Sequence, residues 1–347
     1  MKQIPFKRSA GLFLSALLIV GLAGVYGQKS EAADGKKVYE LKTWSRTDCT
    51  STPYVVAEKK GYFDEVGIKM VYTGETQGAA KLPSILTGDN NIGTIHPNGL
   101  AIARANGAKV RAIARSIVEP PDNITDPHLQ HMWWISHKDS NIKTFDDIKN
   151  APGKVKVQVV SASSCTNFLT DLALQQRGIP LDKVEYVVMP DIEGVVALKN
   201  KHIDLIVPHP PFYKAAEDTG VANILLTSRS IAGENSGTYL YYVSDDFLAK
   251  NPEVLQRFVT AIKKAERWAN ENPDQAAKWT SEAIGVPVLA THYYSLDAKI
   301  IEPHIQQWID GAVSSGALKA GQIKPADFIT HDFEKYGEAD KKVASVE

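Results

Sequence analysis

Two cysteines and two His-Pro pairs are the residues of this chain best suited to chemistry. Cys49-Thr50 recurs as Cys165-Thr166, and His96-Pro97 recurs as His209-Pro210, at nearly equal separations, so each half of the chain supplies one thiol and one imidazole. The set has three uses. The cysteines suit a disulfide in an oxidising compartment, although a bridge between two halves would resist their separation. Cys49, Cys165, His96 and His209 together suit zinc or another thiophilic metal. Alternatively each residue lines a pocket separately, with His-Pro acting as polar contact and strand terminator. A cysteine beside a histidine also forms a nucleophile and base, which keeps an enzyme among the function classes.

Other polar side chains gather where strands should give way to helices. The segment 45–52 follows Trp44 and reads Ser-Arg-Thr-Asp-Cys-Thr-Ser-Thr. Its Arg46 offers a guanidinium fork for a planar or tetrahedral oxyanion, or pairs with Asp48 in solvent, and Thr50 adds a hydroxyl. Ser163, Ser164 and Thr166 stand with Ser161 before a helix, more hydroxyls than a single N-cap requires. Gln77 and Gly78 hold the analogous place before another helix, where glycine admits a ligand close to the backbone. Trp44 and Tyr213 offer aromatic walls. Trp133 and Trp134 alternate faces if their segment is a strand, and at least one of them belongs to the core.

These residues need a scaffold, and the hydrophobic pattern supplies an α/β one with largely parallel sheets. Strands are expected at Val38 to Trp44, Ile68 to Tyr72, Ile92 to Ile95 and Val110 to Ala114. A second series follows at Met132 to Ser136, Val155 to Val160, Val184 to Val188 and Ile203 to Val207. Helices alternate with them, among them Pro53 to Lys60, Thr166 to Arg177 and Phe212 to Asp218. Repetition of the order implies two equivalent lobes. After Tyr239 the pattern turns helical, with Val254, Leu255, Phe258, Val259, Ile262, Ala265, Trp268 and Ala269 on one face.

The 347 residues are 44% hydrophobic, enough for two cores, and the net charge of −1 without a basic patch argues against a nucleic-acid partner. Lys2, Lys7 and Arg8 precede an apolar run from Ala10 to Val25, which reads as a secretory signal covering residues 1–33 rather than a membrane span. Val25 stands where a lipoprotein signal needs cysteine. A periplasmic or otherwise extracytoplasmic location follows as the expectation.

Pro53 to Phe63, then Val66-Gly67-Ile68, Gly88 to Ile92, Gly107 to Arg111, Asp139 to Ile142 with Phe145 to Ile148, and the helix after Asn251-Pro252 occur in order. Together they resemble bacterial ABC-transporter solute-binding proteins of the nitrate, sulfonate, taurine and thiamine-pyrimidine type. The resemblance implies a two-lobed periplasmic-binding-protein fold of type II-like form, with a ligand cleft between the lobes. It places residues 34–137 in lobe 1, 138–238 in lobe 2 and 239–347 back on lobe 1, with hinges near His137 to Ser140 and Gly237 to Tyr239. It implies capture of a small sulfonate, nitrate or pyrimidine-like solute, delivery to a membrane ABC permease, a monomer, no cofactor and no catalysis. A receptor for a thiophilic metal or metal complex is the alternative, and an enzyme related to thiamine-pyrimidine synthesis the third.

Overall fold

The computed structural model describes residues 29–31, 37–76, 78–160 and 164–338. The expected secretory segment lies outside these residues except for 29–31. Eleven strands occur among the described residues: β1 (Lys29–Glu31), β2 (Lys37–Ser45), β3 (Ile68–Glu75), β4 (Ile92–Ile95), β5 (Val110–Arg115), β6 (Trp133–His137), β7 (Val155–Val159), β8 (Val184–Val188), β9 (Leu205–Ile206), β10 (Ala222–Thr227) and β11 (Leu240–Ser244).

The first lobe holds two three-stranded sheets, ordered β1-β2-β3 and β4-β11-β5. They abut where Asn91 N–H donates to Lys42 O at 2.9 Å and Thr43 Oγ1–H donates to Ile92 O at 2.9 Å. The second lobe is built on a five-stranded sheet ordered β10-β6-β9-β7-β8. Among the described strands, parallel pairing joins β2 with β3 and β7 with β8 and β9. β6 runs antiparallel to β9 and β10, and β11 antiparallel to β4 and β5, so the sheets are mixed rather than largely parallel. Part of the difference arises from two strands the hydrophobic pattern did not reveal, β10 and β11, and part from the antiparallel pairing of two expected strands, β6 and β9. In β11, Leu240, Tyr241, Tyr242 and Val243 are all buried, and a strand covered on both faces has no alternation to betray it. The helical character after Tyr239 therefore starts one strand later, at Asp245.

Because β6 belongs to the second sheet, the boundary expected at 137/138 falls one strand earlier, in the crossing segment between β5 and β6. That segment runs beside the returning one: Ser116 N–H donates to Tyr239 O at 2.8 Å and Tyr239 N–H donates to Ile117 O at 3.0 Å. Two hydrogen-bonded crossings thus join the lobes.

Each lobe has its own core. The helix Pro252–Glu271 lays Val254, Leu255, Phe258, Val259, Ile262, Ala265 and Ala269 against the first lobe as its spacing predicts, while Trp268 stays half-buried and stacks on Trp279 at 4.9 Å. Trp133 and Trp134 are both fully buried on opposite faces of the second sheet. Trp133 stacks on Tyr213 at 4.3 Å, and Trp134 donates to Thr170 Oγ1 at 2.9 Å. A buried ion pair sits inside the first core, where Lys263 bonds Glu266, whose carboxylate also accepts from Tyr241 OH at 2.8 Å and Ser116 Oγ at 3.0 Å. The helix Glu302–Ser314 lies between the lobes. Its Ile305, Ile309 and Ala312 join the first lobe's apolar residues, whereas Trp308 joins those of the second.

Two substitutions test these contacts. Lys263→Met leaves Glu266 buried without its cation and should cost about 3–5 kcal/mol in urea unfolding, with recovery in the Lys263→Met, Glu266→Gln double variant. At Gly311 an added Cβ would lie 1.7 Å from Phe168 Cε2, so Gly311→Ala should lower stability by about 1–3 kcal/mol through overpacking between the helices. An unchanged unfolding midpoint in either single variant would contradict the packing described.

Candidate functional site

The polar groups that meet between the lobes come from five separate loops or helix starts. His96 follows β4 at the start of the helix Pro97–Ala105. Its Nδ1 donates to Thr238 O at 2.8 Å, and its Nε2 is buried without a partner at hydrogen-bond length. Cys165 is the first residue of the helix Cys165–Gln176, and its Sγ lies 3.4 Å from His209 Nε2. His209 follows β9 and is oriented from behind, with Nδ1 donating to Asp191 Oδ2 at 3.0 Å. Asp191 is held in turn by Gln158 Nε2 at 2.9 Å, and Gln158 Oε1 accepts from Val207 N–H at 3.1 Å. A Cβ at Gly194 would come 2.9 Å from Gln158 Cγ, so glycine there leaves room for this support.

His131 enters from the crossing segment just ahead of β6, and both of its ring nitrogens lack a partner at hydrogen-bond length. Its backbone N–H donates to the Glu119 carboxylate at 3.3 Å, and burial pushes that carboxyl up to about 7. His292 enters from the C-terminal region with its Nδ1 also unpartnered. The His131 ring lies 5.1 Å from that of His96 and 5.2 Å from those of His209 and His292. Tyr239 meets the His96 ring edge-on at 4.0 Å, and Trp308 stacks on it at 4.9 Å.

The electrostatics follow from this crowding. Burial pulls His131 down to about 4 and, with repulsion from neighbouring rings, holds His292 well below the ordinary histidine value, so both are neutral at pH 7. For Cys165, burial pushes upward but is outweighed by the His96 and His209 rings and by contacts with His131 and His209, leaving the thiol well below its usual value. His209 is lowered by burial and raised more strongly by Asp191 and then by Cys165, so it lies well above the ordinary range. The site therefore combines a thiolate, a charged histidine beside it and neutral imidazoles presenting lone pairs. One ligand atom each from His96, His131 and Cys165 lie within 4.8 Å of one another, all on buried residues. Such a set suits a thiophilic or borderline cation.

The residues expected from sequence divide between this site and its surroundings. His96, Cys165 and His209 come together. Thr166 is beside them, fully buried, with Oγ1 3.8 Å from Met132 Sδ. Cys49 is set apart, its Sγ facing Ala290 O at 3.8 Å, and both cysteines are free thiols. Arg46 bonds Tyr54 OH at 3.1 Å and Trp44 O at 3.2 Å, with its guanidinium over the Tyr54 ring. Trp44 is buried in the first lobe. Thr50 N–H donates to Asp48 Oδ1 at 2.8 Å, and Ser164 Oγ bonds Asn167 Oδ1 at 2.9 Å. Gly78 begins the helix Gly78–Thr87, and an added Cβ there would meet nothing within 4 Å. Tyr213 OH donates to Gln130 O at 2.6 Å within the second lobe. Gln77 and Ser163 lie outside the described residues. His131 and His292 were not anticipated, because neither follows a strand; the one available signal for His131 was its place in a segment linking two lobes.

Comparison with known proteins bears on most of the chain. The sequence model of the family described as NMT1/THI5 like matches residues 48–276. Among solved structures, a periplasmic nitrate-binding protein from Synechocystis PCC 6803 has a TM-score of 0.71 at 15% identity, covering 88% of this chain and 90% of that one. The periplasmic aliphatic sulphonate binding protein from Escherichia coli has a TM-score of 0.67 at 18% identity, with 84% and 92% covered. A ligand-binding component of an ABC-type import system from Staphylococcus aureus, solved with zinc bound, has a TM-score of 0.69 at 14% identity, with 85% and 98% covered. The fold is thus that of periplasmic binding proteins.

The different settings of the two cysteines predict different reactivity. The thiolate is the reactive form, and burial raises Cys49 well above the usual value while Cys165 is lowered, so iodoacetamide at pH 6 should modify Cys165 at least about tenfold faster. His209→Ala should reduce that lead. Equal rates in peptide mapping of the unmodified sequence would contradict the stabilised thiolate.

Proposed function

The chain belongs to the NMT1/THI5-like family, and on that footing we propose that it is the solute-binding component of an ABC importer and captures a thiophilic transition-metal ion. The observation that carries this reading is the convergence of His96, His131 and Cys165, whose buried ligand atoms lie within 4.8 Å of one another. The lowered Cys165 thiol disfavours an anion at its side, and the unpartnered ring nitrogens of His96 and His131 beside it are of the types that ligate a metal ion. Each unmet buried polar atom costs about 1–3 kcal/mol, and a cation satisfies several at once.

His96 also carries a support that metal-binding histidines characteristically have, a backbone carbonyl behind its other ring nitrogen. The Staphylococcus aureus protein of this fold was solved with zinc bound, which agrees with a metal-binding reading. The secretory segment expected over residues 1–33 agrees with capture outside the cytoplasm, and an ABC permease is the partner that would receive the ion.

A second reading rests on the line Cys165, His209, Asp191, which has the order of nucleophile, base and orienting carboxylate. It requires one histidine and leaves His96, His131 and His292 without a role, so the receptor reading is preferred. In that reading, nitrate and sulfonates are the competing solutes.

The test uses full-length secreted protein stripped with a chelator. Native mass spectrometry should show one bound transition-metal ion, and a metal at a thousandfold above its Kd should stabilise the fold by about 4 kcal/mol. His96→Ala and Cys165→Ser should each weaken binding by at least about a hundredfold. Stabilisation by nitrate or an alkanesulfonate with no response to metals would overturn the proposal, and catalytic turnover of an activated ester dependent on Cys165 would favour the second reading.

A further inference from the structure

Resting on the transition-metal reading, the geometry points to copper as the ion this site is built for, through a fourth sulfur ligand that no histidine-cysteine pattern includes. Met132 Sδ lies 4.0 Å from Cys165 Sγ, and Met132 is fully buried beside the ligand cluster. The set formed by His96, His131, Cys165 and Met132 is two imidazoles, one thiolate and one thioether. Trigonal coordination by two histidines and a cysteine, with a weaker methionine along the axis, is characteristic of copper, whereas zinc takes nitrogen, thiolate or carboxylate ligands and makes little use of a thioether.

The environment of the sulfur agrees. His209 Nε2 lies at hydrogen-bond length from Cys165 Sγ, and its other nitrogen is anchored on Asp191, so a fixed ring shares a hydrogen bond with the cysteine sulfur. Hydrogen bonding to the cysteine sulfur is one of the features that tunes copper sites of this kind. Trp308 and Tyr239 cover His96 with aromatic surface, which favours a soft ion over a hydrated hard one. Adjacent positions in the chain supply both His131 and Met132, so the crossing segment delivers two of the four ligands together.

The experiment compares copper and zinc on the same chelator-stripped, full-length protein under anaerobic conditions. One equivalent of Cu(II) should produce an intense visible thiolate-to-copper charge-transfer band that Cys165→Ser abolishes. Met132→Leu should shift that band and lower Cu(I) affinity, measured by competition with a chromogenic chelator, by about tenfold or more, while zinc affinity stays within about twofold. Retained zinc binding also reports that the variant is folded. Zinc binding with no copper charge-transfer band, or a Met132→Leu variant with unchanged copper spectrum and affinity, would overturn the copper assignment and leave the metal-import reading standing. Failure to bind either metal would overturn both.

Discussion

The arrangement turns on one constraint: imidazole nitrogens and a thiol have been removed from water between two lobes without being given enough partners inside the protein. His96 spends one nitrogen on Thr238 O and presents the other bare; His131 presents both. In a core designed only for stability such groups would be replaced by apolar ones or paired with one another. Here Cys165 and His209 are paired, and Asp191, Gln158 and Gly194 form the support behind them. The second-lobe half of the site is preorganised, and the lone pairs that complete it arrive from elsewhere.

Those arrivals explain features of the fold that packing alone does not. The crossing segment carries His131 and is pinned by Glu119, whose carboxylate accepts the His131 backbone N–H. The returning crossing carries Thr238 and Tyr239, which orient and cover His96. Trp308 reaches from the helix Glu302–Ser314 to stack on His96 and pack on Phe168 at 4.4 Å, one turn along from Cys165. Its indole N–H is directed to Asn235 Oδ1 at 3.1 Å, which ties the same helix to the returning crossing. Both lobe connections and the interlobe helix therefore terminate on the same few rings.

Much of the scaffold was legible in the sequence because it obeys periodic rules. The bounds of β4, β8 and the helix Phe212–Asp218 coincide with the apolar pattern, and the stripe of the helix Pro252–Glu271 is buried as its spacing requires. β10 and β11 were not legible: β11 is covered on both faces, and β10 follows a helix without the alternation that marks a half-buried strand. In the site, repetition of Cys-Thr and His-Pro pointed to His96, Cys165 and His209, since loops at the ends of equivalent strands face a common cleft. The same symmetry groups Cys49 with them, whereas its thiol faces Ala290 O at 3.8 Å, apart from the cluster. His131, His292 and Met132 lie in positions set by docking of whole segments, and no local period encodes that.

On the proposed metal reading, the distribution of the candidate ligands favours cargo over a resident structural ion. A metal that stabilises a fold draws its ligands from one rigid unit and stays bound as long as that unit is folded. Here His96 belongs to the first lobe, Cys165 to the second and His131 to the segment between them, while each lobe has a core of its own that needs no ion to hold it. Separating the lobes would take the coordination shell apart without unfolding either. Affinity in the closed arrangement and release in an open one would then follow from the same geometry, because opening exchanges a complete ligand set for isolated side chains that water can solvate. A receptor that must hand its ion to another protein needs that coupling, and a protein that merely keeps an ion does not.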